Sequence, residues 1–298
     1  MYDAIIVGGG PAGLSAALIL GRCLRSVLVC DAGHPRNASS QALHAYLTRE
    51  GISPLDFLQT ARDELKQFEK VSVVQCEVTK ATGCDGQFEV TLLDGRVFQS
   101  RKLLLATGVV DVIPKINGIM DFFGKSVFNC PYCDGWEVRH QKLAVYGKAE
   151  RGLKLAKSLK TWSKDILLCT DGPSGLTPKE CEELKRNNIQ LVIHKIKKLE
   201  GEDGKLKKII FENGDLSECD AMFFNTESHI RSRLLEQFAC NFSDEDGVAR
   251  GKYEKTEIPG LYVAGNILRE VQLVIVAAAE GAQAAFGINS ALAKEDLN

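Results

Sequence analysis

The sequence has few of the features that direct a protein to a membrane or to nucleic acid. Its 298 residues carry a formal net charge of only −2, so no basic field recruits nucleic acid or anionic lipid. No apolar run reaches membrane-spanning length. No basic-then-apolar leader opens the chain, because Met1 directly precedes an apolar strand, Y2-D-A-I-I-V. We therefore expect a cytoplasmic protein that binds neither membrane nor nucleic acid.

The sequence also lacks a recognisable metal-binding pattern. Of its 10 cysteines, those at positions 23, 30, 76 and 169 lie in apolar stretches and are expected to be small core residues with reduced thiols. Cys130 and Cys133 form the single C-x-x-C pair, and no H-x3–5-H pair accompanies it, as a zinc site would require. No metal is therefore expected.

The C-x-x-C pair stands in the segment F-N-C-P-Y-C-D-G-W-E. Two sulfurs at this spacing can close a small disulfide ring, and Asp134 follows directly as a proton donor or acceptor. A glutaredoxin-like loop is one alternative, but it needs a long helix after the pair, whereas an apolar strand at 143–147 soon follows here. For Asp134 the alternative is a helix N-cap. The pair is interpreted as a redox site.

An α/β pattern occurs twice along the chain. Each copy predicts a strand, a glycine-opened helix, a strand ending in Asp, a helix, a strand, a hairpin and a closing strand. The predicted elements of the first copy are 4–8, 12–21, 27–31, 53–69, 71–78, 88–99 around Asp94-Gly95, and 102–108. Those of the second are 143–147, 149–162, 166–171, 179–187, 191–193, 205–211 with a turn at Asn213-Gly214, and 220–226. Chance similarity is the alternative to duplication.

The chain after the second copy resumes with G260-L-Y-V-A-G-N and a helix of small residues over 272–293. A lone strand without a module of its own indicates a return to the first domain. We therefore predict an α/β fold with two Rossmann-like dinucleotide-binding domains, each of three layers with a parallel sheet plus a β-meander, the second inserted into the first. The predicted limits are 1–114 with 245–298, and 115–244.

The first copy keeps an intact dinucleotide-binding loop. Gly8 permits a tight turn, Gly10 lets the backbone touch a pyrophosphate, and Gly13 lets helix and strand pack closely. Asp31 ends the next strand, where it would accept ribose hydroxyls. The loop predicts that a dinucleotide binds here.

Four motifs in this order resemble the low-molecular-weight thioredoxin reductases: G8-G-G-P-A-G, A106-T-G, C130-P-Y-C-D-G, and G265-N with A278-A-E-G. Within that group, C-P-Y-C-D-G-W-E and Q272-L-V-I-V-A-A-A-E-G resemble a branch that often lacks a standard pyridine-nucleotide site. The resemblance spans essentially the whole chain. It implies a homodimeric FAD protein of two domains, with FAD in the discontinuous first domain and the cysteine pair in the second.

The resemblance also implies roles for particular residues. Cys133 would face the flavin, Cys130 would attack the substrate, and Asp134 would be the acid/base residue. His44 is a softer candidate near the flavin, with an ordinary hydrogen-bonded histidine as the alternative. FAD would be contacted by Gly8, Gly10, Pro11, Ala12, Gly13, Asp31, Val78, Ala106, Thr107, Gly108, Gly265, Asn266, Gln272 and Leu273. Asn266 stands where such reductases usually have Asp, which weakens FAD binding at most.

The second copy has lost its phosphate loop. G147-K-A-E-R-G152 keeps the outer glycines but has Ala149 in the middle, and Glu150 adds a negative charge beside the phosphates. Asp171 would repel the 2′-phosphate of NADPH, whereas NADH remains conceivable through the same carboxylate. This half is interpreted as a scaffold for the cysteine pair.

Three functions follow as hypotheses. The first is an FAD-dependent thiol–disulfide oxidoreductase that acts on thioredoxin or a similar small disulfide, with NADH, NADPH or a protein such as ferredoxin as donor. The second is a dithiol oxidase that passes electrons through the flavin to oxygen, which would need no nucleotide site. The third is a non-catalytic flavin-bound redox sensor, against which the intact C-x-x-C next to Asp134 argues.

Overall fold

The computed structural model describes residues 1–225, 227–238, 242–243, 247–248, 251–267 and 271–298. The chain forms two compact units. The first unit comprises residues 1–38, 45–110 and 228–298, and the second comprises 39–44 and 111–227. The second unit is thus inserted into the first. The domain limits expected from the sequence remain predictions, and residue 245, at one of them, lies outside the described residues.

The first unit opens with alternating strands and helices, followed by a β-meander. In chain order its elements are β1 (Tyr2–Val7), α1 (Pro11–Arg22), β2 (Val27–Asp31), α2 (Pro54–Leu65), β3 (Val71–Gln75), β4 (Val78–Cys84), β5 (Gln87–Leu92), β6 (Val97–Leu105) and β7 (Val109–Asp111). The sheet runs β3-β2-β1-β6-β5-β4. Its β3, β2, β1 and β6 are parallel, and β6, β5 and β4 are antiparallel.

The second unit repeats this order. Its elements are α3 (Ile119–Phe122), β8 (Val127–Phe128), α4 (Pro131–Asp134), β9 (Leu143–Tyr146), α5 (Ala149–Leu159), β10 (Ile166–Cys169), α6 (Pro178–Arg186), β11 (Ile189–Val192), β12 (Ile196–Glu202), β13 (Lys205–Phe211), β14 (Leu216–Glu218) and β15 (Ala221–Phe224). A parallel sheet runs β11-β10-β9-β15-β8, and β12-β13-β14 form a separate antiparallel sheet.

The chain then completes the first unit. The remaining elements are β16 (Ser228–Ile230), β17 (Phe242–Ser243), β18 (Gly247–Val248), β19 (Leu261–Val263) and α7 (Val274–Glu295). β19 lies parallel beside β6, with Tyr262 opposite Leu104. Within the described ranges, no helix is both long and apolar enough to cross a membrane.

Both units have three layers because their central strands are apolar on both faces. In β1, Ile6 packs among residues of α1 and α7, whereas Ile5 packs among residues of the β4–β5 meander. In β9 of the second unit, Val145 faces α5 and Ala144 faces the β12–β13 meander. The predicted α/β fold of two Rossmann-like units is confirmed.

The first strand of each meander was not predicted. In β4 the buried positions are Val78 and Ala81, and in β12 they are Ile196 and Leu199, so neither strand alternates with the period of two that marks a half-buried strand. The reason is a shift of register at the same point in both strands, just after the first buried residue. This shared irregularity supports duplication.

Helix ends also differ from the predictions. α2 spans residues 54–65 rather than 53–69, because the Ser53 hydroxyl accepts a hydrogen bond from the Asp56 N–H (3.4 Å) as N-cap and Pro54 takes the first helical position. α5 ends at Leu159 instead of residue 162. α7 covers 274–295, so it begins and ends two residues later than the predicted 272–293.

A buried lysine ties α7 to the sheet. Lys102 of β6 is only 1% exposed, and its Nζ donates to Asp85 (2.5 Å) and to Glu295. Arg101 beside it pairs with Glu295 (2.9 Å) and Asp296 (2.7 Å). The apolar stem of Lys102 fills core volume while its ammonium reaches two carboxylates at the surface.

Replacing Lys102 separates the contribution of the stem from that of the charge. We expect Lys102→Ala to lower the free energy of unfolding by about 3 kcal/mol, because it leaves a cavity and removes the cation from its carboxylates. Lys102→Met keeps most of the volume and should cost clearly less. Urea unfolding followed by circular dichroism measures both. Equal losses would show that the stem does not contribute to packing.

Candidate functional site

The glycine loop of the first unit leaves its backbone bare at one point. A side chain at Gly8, whose φ is +111°, would overlap the carbonyl oxygen of Ala106, and a side chain at Gly13 would overlap the carbonyl oxygen of Gly8. At Gly10, in contrast, an added Cβ would meet no atom of the described residues within 4 Å. Gly10 is also the N-cap of α1 and offers no side chain to the first turn. The outer glycines are thus structural, and Gly10 faces open space.

The ends of β6 and β19 bring two further segments to this loop. The A-T-G turn adjoins it, since the Ala106 N–H donates to the Val7 carbonyl (2.8 Å). Gly108, with φ +67°, faces open space like Gly10. After β19, an added Cβ on Gly265 would lie 3.2 Å from the Cβ of Ala12. Three strand ends therefore converge on the start of α1.

Two buried contacts fix these segments. The Gly265 N–H donates to the carboxylate of the buried Glu280 in α7 (2.9 Å). A side chain at Gly281 would overlap the carbonyl oxygen of Ala12, so α7 and α1 cross in backbone contact there. Asn266 follows, half-buried. No role was predicted for Glu280, although the A-A-E-G motif contains it.

Asp31 lies where the loop motif predicts. Its carboxylate packs against Gly9, where an added Cβ would stand 2.5 Å from it. Oδ1 accepts the Gly33 N–H (3.1 Å), and Oδ2 pairs with Arg62 of α2 (2.8 Å). The sequence reasoning missed Arg62 because nothing in the chain signals a partner 31 residues away.

The other residues predicted to contact the cofactor lie outside the glycine turn or take part in other contacts. Val78 begins β4 with its side chain in the core, which leaves only its backbone for a ligand. Gln272 accepts a hydrogen bond from Arg36, and Leu273 is the N-cap of α7. Pro11 is the first residue of α1. Contacts of these residues with a cofactor stay predictions.

The first unit fits FAD. It offers an open backbone face at Gly10, the N-terminus of a 12-residue helix for phosphate, and a carboxylate at the end of β2 for ribose. The convergence of the turns at Ala106 and Gly265 on the same helix end provides the length of surface that a long dinucleotide needs.

The second unit has the same outer frame but a different middle. A side chain at Gly152 would overlap the carbonyl oxygen of Gly147, as one at Gly13 would overlap that of Gly8, and a side chain at Gly147 would collide with the backbone of Gly152. Ala149 stands at the position of Gly10, with φ +48°, and its N–H donates to the carbonyl of Ser174 (2.8 Å). The residues here do not fit a pyridine dinucleotide in the way that the first unit fits FAD.

The cysteine pair lies in a short helix. Cys130 and Cys133 form a disulfide with their Cα atoms 5.3 Å apart. The helix α4, which contains Cys133 and ends at Asp134, has only four residues. Cys130 is the N-cap, and its Sγ accepts the Cys133 N–H (3.2 Å). No helix follows in residues 135–142, so the glutaredoxin-like arrangement and the N-cap role of Asp134 are both excluded.

The carboxyl of Asp134 is tuned by its surroundings. Burial raises its pKa to about 7, the nearby His44 acts to lower the pKa, and Glu137 acts to raise it. His44 Nδ1 lies 3.6 Å from Glu137 Oε1. His44 belongs to the six residues, 39–44, that pack with the second unit. Asp134 and His44 were predicted site residues, whereas Glu137 was not, although the segment D-G-W-E contains it.

Aromatic side chains surround the disulfide. Tyr132 and Trp136 are 76% and 64% exposed. The Tyr132 ring stands edge-on to Trp162 at 5.7 Å, and the Arg139 guanidinium lies 4.0 Å above the Trp136 ring. Trp162 packs against Gly135, where an added Cβ would lie 2.8 Å from its ring. The disulfide is therefore framed by an aromatic surface.

Other cysteines have different surroundings. Cys30 and Cys169 are buried as expected, and burial raises the pKa of both thiols, that of Cys30 to about 12. The expectation for Cys23 was wrong: it caps the C-terminus of α1 and is exposed. Cys76 is partly buried.

Comparison with known proteins agrees with this geometry. The family model described as pyridine nucleotide-disulphide oxidoreductase matches residues 2–281. The chain belongs to this family. The family description names a nucleotide and a disulfide, and this chain carries both a dinucleotide-binding glycine loop and a disulfide.

Individual relatives narrow the kind of family member. A "Probable thioredoxin reductase" of Arthroderma benhamiae is 30% identical over 300 residues, with 89% of this chain and 74% of that protein covered. "Thioredoxin reductase tcpT" of Claviceps purpurea is 30% identical over 278 residues, with 89% and 86% covered. The crystal structure "Putative Thioredoxin Reductase TrxB from Bacillus anthracis" superposes with a TM-score of 0.94 at 31% identity and covers 99% of this chain and 100% of that one.

The chain is thus an FAD-dependent disulfide oxidoreductase of the thioredoxin-reductase type. The resemblance that the four motifs predicted is confirmed, as is the enzyme class. The roles of individual residues are not settled by these likenesses, and they are taken up as proposals.

The contrast between Gly10 and other glycines yields a test of the FAD site. We expect Gly10→Ala to leave folding intact, because its φ of −80° suits alanine and no atom is in the way, but to weaken FAD binding about tenfold or more by filling the open face. Gly251→Ala is the matched control, since Gly251 has a similar extended backbone and equally open space.

The measurement is reconstitution of each apoprotein with FAD, followed by flavin fluorescence, with circular dichroism as the check on folding. If Gly10→Ala and Gly251→Ala bound FAD equally well, the assignment of Gly10 to the cofactor site would be wrong.

Proposed function

We propose that the protein transfers two electrons between FAD in the first unit and the Cys130–Cys133 disulfide in the second, and exchanges them there with thioredoxin or a similar small disulfide. The observation that carries the proposal is a half-buried disulfide next to a carboxyl group whose pKa is about 7. FAD held at Gly8–Gly13, Asp31 and the turns at Ala106 and Gly265 would supply a two-electron redox centre.

The two sulfurs have unequal surroundings, which supports unequal roles. Cys130 Sγ accepts the Cys133 N–H, and such a donor favours a thiolate over a thiol once the disulfide is reduced. Cys130 is therefore the attacking sulfur of the proposal, and Cys133 is the resolving sulfur that also faces the flavin.

In the reductive direction the exchange balances as follows. The Cys130 thiolate attacks one sulfur of the substrate disulfide, a mixed disulfide forms, and the other substrate sulfur leaves and takes a proton from Asp134. Cys133, losing its own proton, then attacks Cys130 Sγ and releases the second substrate sulfur as a thiol. The products are the Cys130–Cys133 disulfide and a dithiol, so two electrons and two protons pass to the substrate.

His44 and Glu137 extend this proton path. His44 is close enough to Asp134 to affect its pKa, and it lies 3.6 Å from the partly exposed Glu137. An imidazole near two carboxyl groups can accept a proton from one and pass it to the other. In the proposal, His44 returns a proton to Asp134 after each turnover.

The aromatic surface supports a protein as the partner. Exposed aromatic side chains are enriched where proteins meet, and Tyr132 and Trp136 flank the disulfide. The relatives described as thioredoxin reductases point to a thioredoxin-like protein as the first candidate. The descriptions of these two relatives name neither an oxidase nor a sensor.

The proposal also includes the oligomeric state and the cellular location of the protein. The resemblance to thioredoxin reductases supports a homodimer, which light scattering after size-exclusion chromatography would test: a monomeric mass at working concentration would refute it. It supports a cytoplasmic location as well, which fractionation of the source cells would test.

The cysteines provide the decisive experiment. The holoprotein is reduced with dithionite without oxygen and mixed with an oxidised thioredoxin, and flavin reoxidation is followed. We expect Cys130→Ser and Cys133→Ser to slow the transfer at least about 1,000-fold, because each removes one sulfur of the exchange. Cys84→Ser, which changes an exposed cysteine without a disulfide, should transfer at the original rate.

The outcomes separate the alternatives. Unchanged transfer by Cys133→Ser would refute the proposal. Reoxidation by air with release of hydrogen peroxide, together with no reaction with thioredoxin, would favour the dithiol oxidase instead.

The pH dependence tests Asp134. As a general acid with a pKa of about 7, its carboxyl is protonated below pH 7 and loses its proton above, so the rate of substrate reduction should fall as pH rises through 7. Asp134→Asn should be slow at every pH and lack this limb. His44→Gln should move the limb to higher pH, because His44 lowers the pKa of Asp134.

Stopped-flow measurement of the exchange rate between pH 5 and pH 9 gives these profiles. A limb near pH 7 that persists in Asp134→Asn would assign the titration to another group.

A further inference from the structure

The second unit carries a loop that reaches its own degenerate glycine turn. The loop comprises residues 171–176 between β10 and α6, and we name it the closing loop. The carbonyl of Ser174 accepts the Ala149 N–H at 2.8 Å. An added Cβ on Gly175 would lie 3.4 Å from the Cβ of Ala149. The closing loop therefore contacts both the amide and the methyl group of Ala149.

The amide concerned is the one that a pyrophosphate would need. In a Rossmann unit the middle glycine brings bare backbone to the phosphates, at the N-terminus of the first helix. Ala149 holds that position in the second unit, as Gly10 does in the first. Its N–H is already satisfied by protein, and the space in front of it contains Ser174 and Gly175.

The first unit is an internal control for this comparison. The loop after β2 contains Gly33, where an added Cβ would lie 3.0 Å from the side-chain nitrogen of Gln75. Gly33 therefore packs against Gln75 and not against the glycine turn. Accordingly, no atom of the described residues lies within 4 Å of a Cβ added at Gly10. Two copies of one frame thus differ in whether the loop after the second strand turns away from the helix N-terminus or lies against it.

The closing loop is held at several points rather than resting on the surface. At its start, the Asp171 carboxylate accepts the Ile196 N–H (2.8 Å) and the Tyr146 hydroxyl (3.3 Å). The Gly172 N–H donates to the Ile193 carbonyl (2.8 Å), and the Leu176 N–H donates to the Ser174 hydroxyl (3.3 Å). Three of these four bonds reach residues outside the loop, in β9, at the start of β12 and just after β11, so the loop is integrated into the fold.

The end of the closing loop is fixed as well. Thr177 is the N-cap of α6, and its side chain and that of Glu180 form a reciprocal capping box. The residues around the degenerate turn are also paired: Glu150 with Lys154 (2.9 Å) and Arg151 with Glu227 (3.7 Å). Glu150 and Arg151 of the turn therefore already have partners of opposite charge.

We infer that the closing loop occupies the second dinucleotide site, so that this unit binds neither NADPH nor NADH and the enzyme receives its electrons from a donor that needs no nucleotide site. The inference deepens the proposed function, on which its second half rests. Its first half, the closure, stands on the geometry of the second unit alone.

Hydrogen–deuterium exchange of the FAD-loaded protein tests the closure directly. The peptides covering residues 147–155 and 171–177 are followed with and without NADPH or NADH at about 1 mM, the upper end of ordinary enzyme affinities. We expect no change in either peptide. Slower exchange in either one upon addition of a nucleotide would overturn the inference.

The variant Ala149→Gly separates the closing loop from the methyl group. It restores the middle glycine and relieves a positive φ, but it leaves the Ser174 carbonyl on the amide. We expect the variant to remain unresponsive to both nucleotides in hydrogen–deuterium exchange. Nucleotide protection in Ala149→Gly would show that the methyl group alone blocks the site, and the role given to the loop would be wrong.

An anaerobic titration distinguishes failure of the closure from failure of the proposed function. We expect NADPH and NADH to leave the flavin absorbance unchanged and a dithiol to bleach it through the cysteine pair. Bleaching by a stoichiometric nucleotide would overturn the inference and keep the proposed function. Without bleaching by either reagent, the proposed function would fail, while unchanged exchange in the second unit would still support closure.

Discussion

In each unit, the first and last glycines of the turn are packed so closely that neither can carry a side chain. Gly13 packs on the carbonyl of Gly8, and Gly152 on that of Gly147. This contact lets the helix start directly at the end of the central strand, with its N-terminus over the edge where the other parallel strands end. α7 can then cross α1 in backbone contact at Gly281. The position of every segment at the FAD site depends on that close approach.

The two outer glycines of the turn are constrained by packing, whereas the middle position is not. The same arrangement of strand, turn and helix can therefore be open to a ligand in one unit and closed by protein in the other. Once helix and strand are locked by the outer glycines, the middle position is free to change without loss of the fold. An unsatisfied N–H at that point must find a partner when it is buried, either a ligand or the protein itself. The first unit leaves the partner to a ligand and the second provides Ser174. The second unit therefore gains independence from a cofactor, and its stability does not rise and fall with the concentration of one.

Features carried by short-range patterns were predictable, and features carried by contacts distant in sequence were not. The glycine loop, Asp31 and the cysteine pair follow from motifs within a few dozen residues. The resemblance of four motifs in order identified the family. The strands β4 and β12 were not predicted, because a bulge breaks the alternation of buried and exposed residues that marks a strand.

The residues that contact the predicted site residues were not predictable, because their contacts depend on tertiary packing. Arg62 on Asp31, Glu137 beside His44 and Ser174 on Ala149 are each brought into place by tertiary packing. The residue types alone do not specify such contacts, since many other side chains in the sequence could have made them. His44 in particular lies in a segment that leaves the first unit for six residues to pack with the second.

The order of the segments along the chain has a consequence for synthesis on the ribosome. The second unit is complete once residue 227 has emerged, because its short segment 39–44 was made earlier. The first unit must wait for β19, which fills the edge beside β6, and for α7, which covers α1. The part that begins first therefore finishes last. The edge of β6 and the apolar face of α1 stay uncovered throughout the translation of the inserted unit. During that interval the nascent first unit is the portion exposed to chaperones and to aggregation.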